Sequence, residues 1–212
     1  MRSLREPLIP SVRRWRAFVV MAASIVTGCT TSGATRPAPI AVHDASGFTI
    51  TEKVRVSAEV RADFESAVHL LEQEQNQSAI ALLVEVTEAA PQLTAAHIDL
   101  GIAYGRVSEL ERAEASIQKA LELNPRHPVA LNELGILYRR MGRFGEARGS
   151  YEKALALYPD FHFARRNLAI LCDLYLADVD CALENYGVYI QAVPDDEAAA
   201  IWIADLRTRA GK

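Results

Sequence analysis

Three cysteines, five histidines and a cluster of acids are the residues of this 212-residue chain best equipped for chemistry. The histidines (His43, His69, His97, His127 and His162) never stand four apart, so they offer no helical pair of metal ligands. Asp173, Asp178, Asp180 and Glu184 crowd one short stretch but lack the glycine and ordered spacing of a calcium loop, and read as solvated turn acids. No Gly-x-Ser-x-Gly, no His-Glu-x-x-His and no phosphate-cradling glycine loop occurs. Asn76, Gln77 and Ser78 match a glycosylation acceptor without anything else to support it. A nucleophile, a base and an orienting group cannot be assembled from these residues. The expectation is a protein that is not an enzyme and holds no cofactor and no metal.

Cys29 stands apart from the other two cysteines. Arg2, Arg5, Arg13, Arg14 and Arg16 precede an apolar run over residues 17–27, which is 11 residues long. A bilayer-spanning helix needs about 20. The run fits the core of a secretory signal after a charged leader. It ends in Val26-Thr27-Gly28-Cys29, which resembles a bacterial lipobox. That resemblance implies cleavage before Cys29, a diacylglycerol on its sulfur and an acyl chain such as palmitate on the new amino end. Several acyl chains anchor stably where one does not. An ordinary cleaved signal or a short uncleaved anchor are the alternatives. Thr30 after the cysteine resembles the outer-membrane sorting pattern, which implies a bacterial envelope protein facing the periplasm.

Net charge is −4, yet residues 1–28 carry +4, so the remainder carries −8. An acidic body argues against a nucleic-acid partner, whose phosphates require a basic footprint. Residues 29–55 are read as a flexible tether containing a short extended segment around Phe48, Ile50, Val54 and Val56, with no sheet for a strand to join.

The elements that position everything else lie between residues 94 and 161. Leu100-Gly101, Tyr104, Ala113, Ala120 and Pro125 recur 34 positions later as Leu134-Gly135, Tyr138, Ala147, Ala154 and Pro159. This spacing is similar to that of the tetratricopeptide repeat family. Glycine inside a helix costs about 1 kcal/mol against alanine, which makes sense where another backbone approaches closely. The expected fold is all-α, an α-solenoid of antiparallel helix pairs closed by a capping helix. A TPR domain over 56–212 is read as repeats at 60–93 (degenerate), 94–127, 128–161 and 162–194, with a cap at 195–210. Ala198, Ile201, Trp202 and Leu206 form the expected buried stripe of the cap, and Trp202 is read as packing rather than ligand stacking. Pro194 lies 35 residues after Pro159, so one residue is inserted, within residues 174–180. Cys172 and Cys181 flank that turn. They are either a disulfide, allowed in an oxidising compartment, or two small buried thiols.

In this family the first helix of each pair lines a concave peptide-binding groove. Carried over, the resemblance selects Ile98, Asp99, Ile102 and Arg106, then Val129, Asn132, Glu133, Ile136, Arg139 and Arg140, then Phe163, Arg166, Asn167, Ile170 and Asp173. Ile98, Ile102, Ile136 and Ile170 would form the floor. The asparagines would pair with a peptide backbone and the arginines with a carboxylate. The clamp that holds chaperone tails is not reproduced, because Ile98 and Ile102 stand at two of its positions. The chain resembles repeat lipoproteins that assist envelope machines, such as the pilotins of type IV pilus secretins. The implied function is a membrane-anchored scaffold binding a protein or peptide of the cell envelope. An adaptor for peptidoglycan enzymes, proteases or a TonB-type energy-transducing complex is the alternative, and pairing of the solenoid with itself stays open.

Overall fold

The computed structural model describes residues 40–43, 49–52 and 54–211. Cys29, the amino-terminal signal and most of the tether lie outside them. The chain divides into two units, 1–55 and 56–212. In the first, β1 (Ile40–His43) pairs antiparallel with β2 (Thr49–Glu52), with Val42 opposite Ile50. This corrects the expectation that an extended segment here finds no sheet. The small, polar average of residues 30–46 hides Ile40 and Val42, two β-branched residues set two apart, which is a strand pattern.

The second unit carries nine helices among the described residues, arranged as four pairs and a cap. The pairs are α1 (Ala58–Glu72) with α2 (Asn76–Ala89), α3 (Thr94–Arg106) with α4 (Leu110–Leu123), α5 (Pro128–Arg140) with α6 (Phe144–Leu157), and α7 (His162–Leu174) with α8 (Val179–Ala192). The cap is α9 (Glu197–Arg209). The second helix of each pair buries one narrow stripe built on small residues: Ala79, Leu83 and Val86; Ala113, Ile117 and Ala120; Ala147, Tyr151 and Ala154; Ala182, Tyr186 and Tyr189. Each stripe opens on an alanine, and α4 and α6 carry a second one, Ala120 and Ala154, which lets the partner helix come close. The turns between paired helices hold three residues, except the last, which holds four and so takes up the inserted residue.

Each of those turns needs one left-handed residue: Glu74 (φ 60°), Ser108 (φ 66°), Gly142 (φ 76°) and Ala177 (φ 52°). Only the third is glycine, and an L-residue pays about 1–2 kcal/mol for that conformation. Ala177→Gly is therefore expected to raise stability by about 1 kcal/mol, read as a higher urea midpoint at unchanged slope. An unchanged or lower midpoint would show that the four-residue turn holds Ala177 without strain.

Several helix starts are capped as their residue types suggest. Ser57 Oγ accepts from Val60 N at 3.1 Å, Asp178 Oδ1 from Cys181 N at 3.1 Å and Asp196 Oδ1 from Ala199 N at 3.0 Å. The cap helix departs from the expected stripe by a rotation of one residue. It buries Ala199, Ile203 and Leu206, while Ile201 is 66% exposed. Trp202 packs 5.7 Å from the Tyr186 ring, and the Arg166 guanidinium lies 5.4 Å over it. Among the described residues no helix is long and apolar enough to cross a membrane.

Candidate functional site

The first helices α1, α3, α5 and α7 contact one another in sequence, so one face of each contributes to a continuous surface, the one expected to be concave. In α3 the face turned from α4 carries Asp99, Ile102 and Arg106, spaced three and four apart as one helical stripe requires. The same register gives Glu133, Ile136 and Arg140 in α5 and Asn167, Ile170 and Leu174 in α7. Ile102, Ile136 and Ile170 are each half-buried, so an apolar row runs across the repeats. Carrying the register back adds Glu65 and Val68 of α1, which the sequence reading passed over because the Leu-Gly pair that marks the register is missing there. It also passed over Leu174, which is 50% exposed beside Ile170.

The polar residues expected to meet a ligand are largely engaged within the protein. Arg106 Nη1 donates to the Leu71 carbonyl at 2.7 Å and to Asn76 Oδ1 at 3.4 Å. Arg140 repeats the arrangement one unit on, donating to the Gly105 carbonyl and to Ser108 Oγ. Both arginines thus reach back to carbonyls at the end of the preceding first helix, which also accept from the turn amides of Glu74 and Ser108. Asn167 Nδ2 donates to Asn132 Oδ1 at 2.9 Å, and Asn132 Nδ2 to Glu133 Oε1 at 3.2 Å. Arg139 is buried, with its Nη1 on Tyr175 Oη at 3.3 Å. Arg166 lies 3.7 Å from Asp196, and Asp173 accepts from Arg209 at 2.7 Å. The expected carboxylate-pairing and backbone-pairing roles would be additional to these internal partners, with Arg106 and Arg140 exposed. Ile98 is also buried, and so lies below the floor rather than on it.

Asp196 sits at a small junction of its own. Burial pushes its carboxyl up, but the Tyr189 hydroxyl at 2.6 Å, the α9 amides and the Arg166 charge outweigh this and hold it below the usual carboxylate range. The junction fastens α9 to α7 and α8 and is structural.

Cys172 and Cys181 are joined, with Sγ–Sγ 2.05 Å and Cα–Cα 5.9 Å. The bond links the last turn of α7 to the first turn of α8 across the four-residue turn. Asp178 lies close to both sulfurs, but the disulfide leaves no thiolate for a metal. In the chain-entropy model so short a loop is worth about 2.6 kcal/mol. Cys172→Ser with Cys181→Ser is expected to lower stability by that amount, and alkylation of the denatured, unreduced protein to leave both sulfurs unlabelled. Two alkylated thiols would overturn the assignment. A second concavity of 360 Å³ lies between α6, α7 and α8, with Leu155 and Leu168 below and Arg148, Glu152, Arg165 and Glu184 at its edge. Its charges are balanced, and Arg148 is held by Glu152 at 2.9 Å and Asp178 at 3.2 Å.

Fold and site together define an all-α solenoid of antiparallel helix pairs. Residues 92–160 match the tetratricopeptide repeat family. No curated protein matches the chain by sequence. Among solved structures, pilF of Pseudomonas aeruginosa is similar at TM-score 0.66 and 22% identity, over 71% of this chain and 68% of that one. A thermophilic TPR protein of Thermus thermophilus is similar at TM-score 0.63 and 23% identity, over 70% of this chain and 81% of that one. The first TPR domain of Spaghetti, bound to the HSP90 peptide SRMEEVD, is similar at TM-score 0.54 and 23% identity, over 57% of this chain and 97% of that one. At these identities the likeness is one of fold.

Proposed function

We propose that this chain is a non-enzymatic scaffold that holds a protein or peptide segment on the concave face of α3, α5 and α7. The observation that carries the reading is the half-buried row Ile102, Ile136 and Ile170, one apolar residue per repeat at a fixed register. The buried half of each isoleucine packs between first helices, and the exposed half leaves apolar surface that a partner can cover. The Spaghetti domain, of the same fold, is bound to a peptide, which agrees with this use. The scaffold is tethered to a bacterial membrane by lipid on Cys29, facing the periplasm from the outer membrane, and serves the assembly of an envelope or pilus machine.

The test is in-cell crosslinking of the full-length protein beside Ile102→Glu with Ile136→Glu at matched abundance and matched helicity. The expected result is one defined envelope complex, lost in the variant. Capture that persists in the variant would move the binding site off the concave face. The anchor is tested separately by palmitate labelling, expected for the parent and absent for Cys29→Ser. Labelling of both, or of neither, removes the lipid from the proposal.

A further inference from the structure

We propose that the α9 end of the solenoid is a contact surface for a second copy of this chain, with the two α9 helices packed antiparallel across a two-fold axis. This surface is separate from the concave face, and the inference does not rest on that reading.

The repeat register shows that α9 is open. Ala67, Gly101, Gly135 and Ala169 stand 34 residues apart on the first helices, and all four are buried. The second helix of the pair covers this position, with Ile117 over Gly101 and Tyr151 over Gly135. The next member of the series, after the one inserted residue, is Ala204 of α9, and it is exposed. α9 is thus built as a first helix, and among the described residues no second helix covers it.

The neighbouring α8 is open in the same direction. Arg148, Glu152 and Leu155 of α6 line the concavity shared with α7 and α8. Their counterparts 35 residues on are Leu183, Gly187 and Ile190 of α8, none of them charged. A Cβ on Gly187 would meet nothing within 4 Å. A terminal unit that faces only water carries a polar outer surface. This one carries Ile201, 66% exposed, flanked by the exposed Ala200 and Ala204.

The symmetry of the face identifies what covers it. Glu197, Ile201, Ala204 and Thr208 follow one another at steps of four, three and four, a single stripe along the outside of α9. Turned end for end about an axis between Trp202 and Ile203, this stripe fits itself. Ile201 then lies over Ala204 of the partner subunit, the same large-on-small fit that Tyr151 makes on Gly135. At each end of the stripe Glu197 comes beside Arg207 of the partner subunit. Both side chains are exposed, and neither makes an ion pair within the described residues. A parallel arrangement would instead set like charges together, and only the antiparallel one also brings opposite helix ends side by side. A contact of one helix per protomer, with a rim from α8, is of the small, reversible class under about 1,200 Å².

The test is sedimentation of the full-length protein up to high micromolar concentration. The parent is expected to form a reversible dimer, and Ile201→Glu, Glu197→Arg and Arg207→Glu each to weaken it at least tenfold. All three positions are exposed, so the variants keep the parent's helicity, read by circular dichroism. Glu197→Arg combined with Arg207→Glu restores opposite charges across the axis and is expected to return the dimer to near the parent's affinity. A parent that stays monomeric overturns the proposal. So does a dimer indifferent to Ile201→Glu, or a double exchange no better than the single ones. Oxidation of mixed Ile201→Cys and Ala204→Cys proteins is expected to link the two, whereas Ile201→Cys with Glu111→Cys, on α4, is not. Equal linkage in both mixtures would move the contact away from α9.

Discussion

Gly135→Ala is expected to cost about 3 kcal/mol, although alanine is the better helix former by about 1 kcal/mol. A Cβ on Gly135 would stand 2.4, 2.7 and 2.8 Å from three atoms of the Tyr151 ring. That ring is fully buried in the stripe of α6, so it has nowhere to turn, and α5 must lift from α6 instead. Gly101 meets Ile117 Cδ1 and Cγ1 at 2.6 Å and the Ala113 carbonyl at 3.1 Å, and Ile117 is β-branched and as buried as Tyr151, so Gly101→Ala is expected to cost a comparable amount. Gly149 has nothing within 4 Å, and Gly149→Ala gains the propensity alone, about 1 kcal/mol. Urea unfolding of the three variants checks the order. The decisive arm is Gly135→Ala in a Tyr151→Leu background, where the cost falls below about 1 kcal/mol if the ring is the cause. An undiminished cost there would assign the effect to something other than this contact.

Between pH 6.5 and about 4 the protein is expected to lose about 2–3 kcal/mol through a single imidazole. His127 is 2% exposed, and burial pulls its pKa from 6.5 down to about 4. Its Nδ1 accepts from Ala130 N at 3.3 Å, and its Nε2 is buried without a hydrogen-bond partner. The folded value lies below the unfolded one, so the unfolded chain takes the proton first. The stability is complete above pH 6.5, falls as the pH drops through the window, and levels near pH 4. Leu93 and Phe161 occupy the same register in the neighbouring repeats and are equally buried, so the site accepts an apolar residue. His127→Leu should then lie within about 1 kcal/mol of the parent at pH 7 and exceed it by about 2 kcal/mol at pH 4.5. Parallel pH profiles for the two proteins would refute the assignment.

What could be read from the sequence was whatever repeats at 34 residues. The Gly101 and Gly135 contacts, the first alanine of each stripe and the helix-pair architecture all follow from that register, because close packing demands a small residue at the same place in every unit, as at Ala67, Gly101, Gly135 and Ala169. The functions of individual polar residues were not legible in this way. Arg106 and Arg140 share a register too, but a repeated arginine fits a ligand contact and a back-reaching cap equally well. Only the carbonyl found at its tip distinguishes them. Asn132 and Asn167 stand one residue apart in register and hydrogen-bond to each other, a pairing that no comparison of equivalent positions would suggest. The strand at Ile40–His43 was missed for the opposite reason, since a four-residue signal disappears in the average of the polar stretch around it.

The back-reaching arginines also bear on how the solenoid comes apart. In a repeat array, global stability is a sum of unit terms and nearest-neighbour coupling terms. The couplings from α3 to α1 and from α5 to α3 each include a guanidinium on a carbonyl. At the next step Leu174 stands where that arginine would be, and the link is made instead by the Arg139 guanidinium on the Tyr175 hydroxyl and by the asparagine pair. The disulfide lies beyond that step. It keeps α7 and α8 together as a hairpin while they detach, so the last repeat leaves and returns as one preassembled foldon.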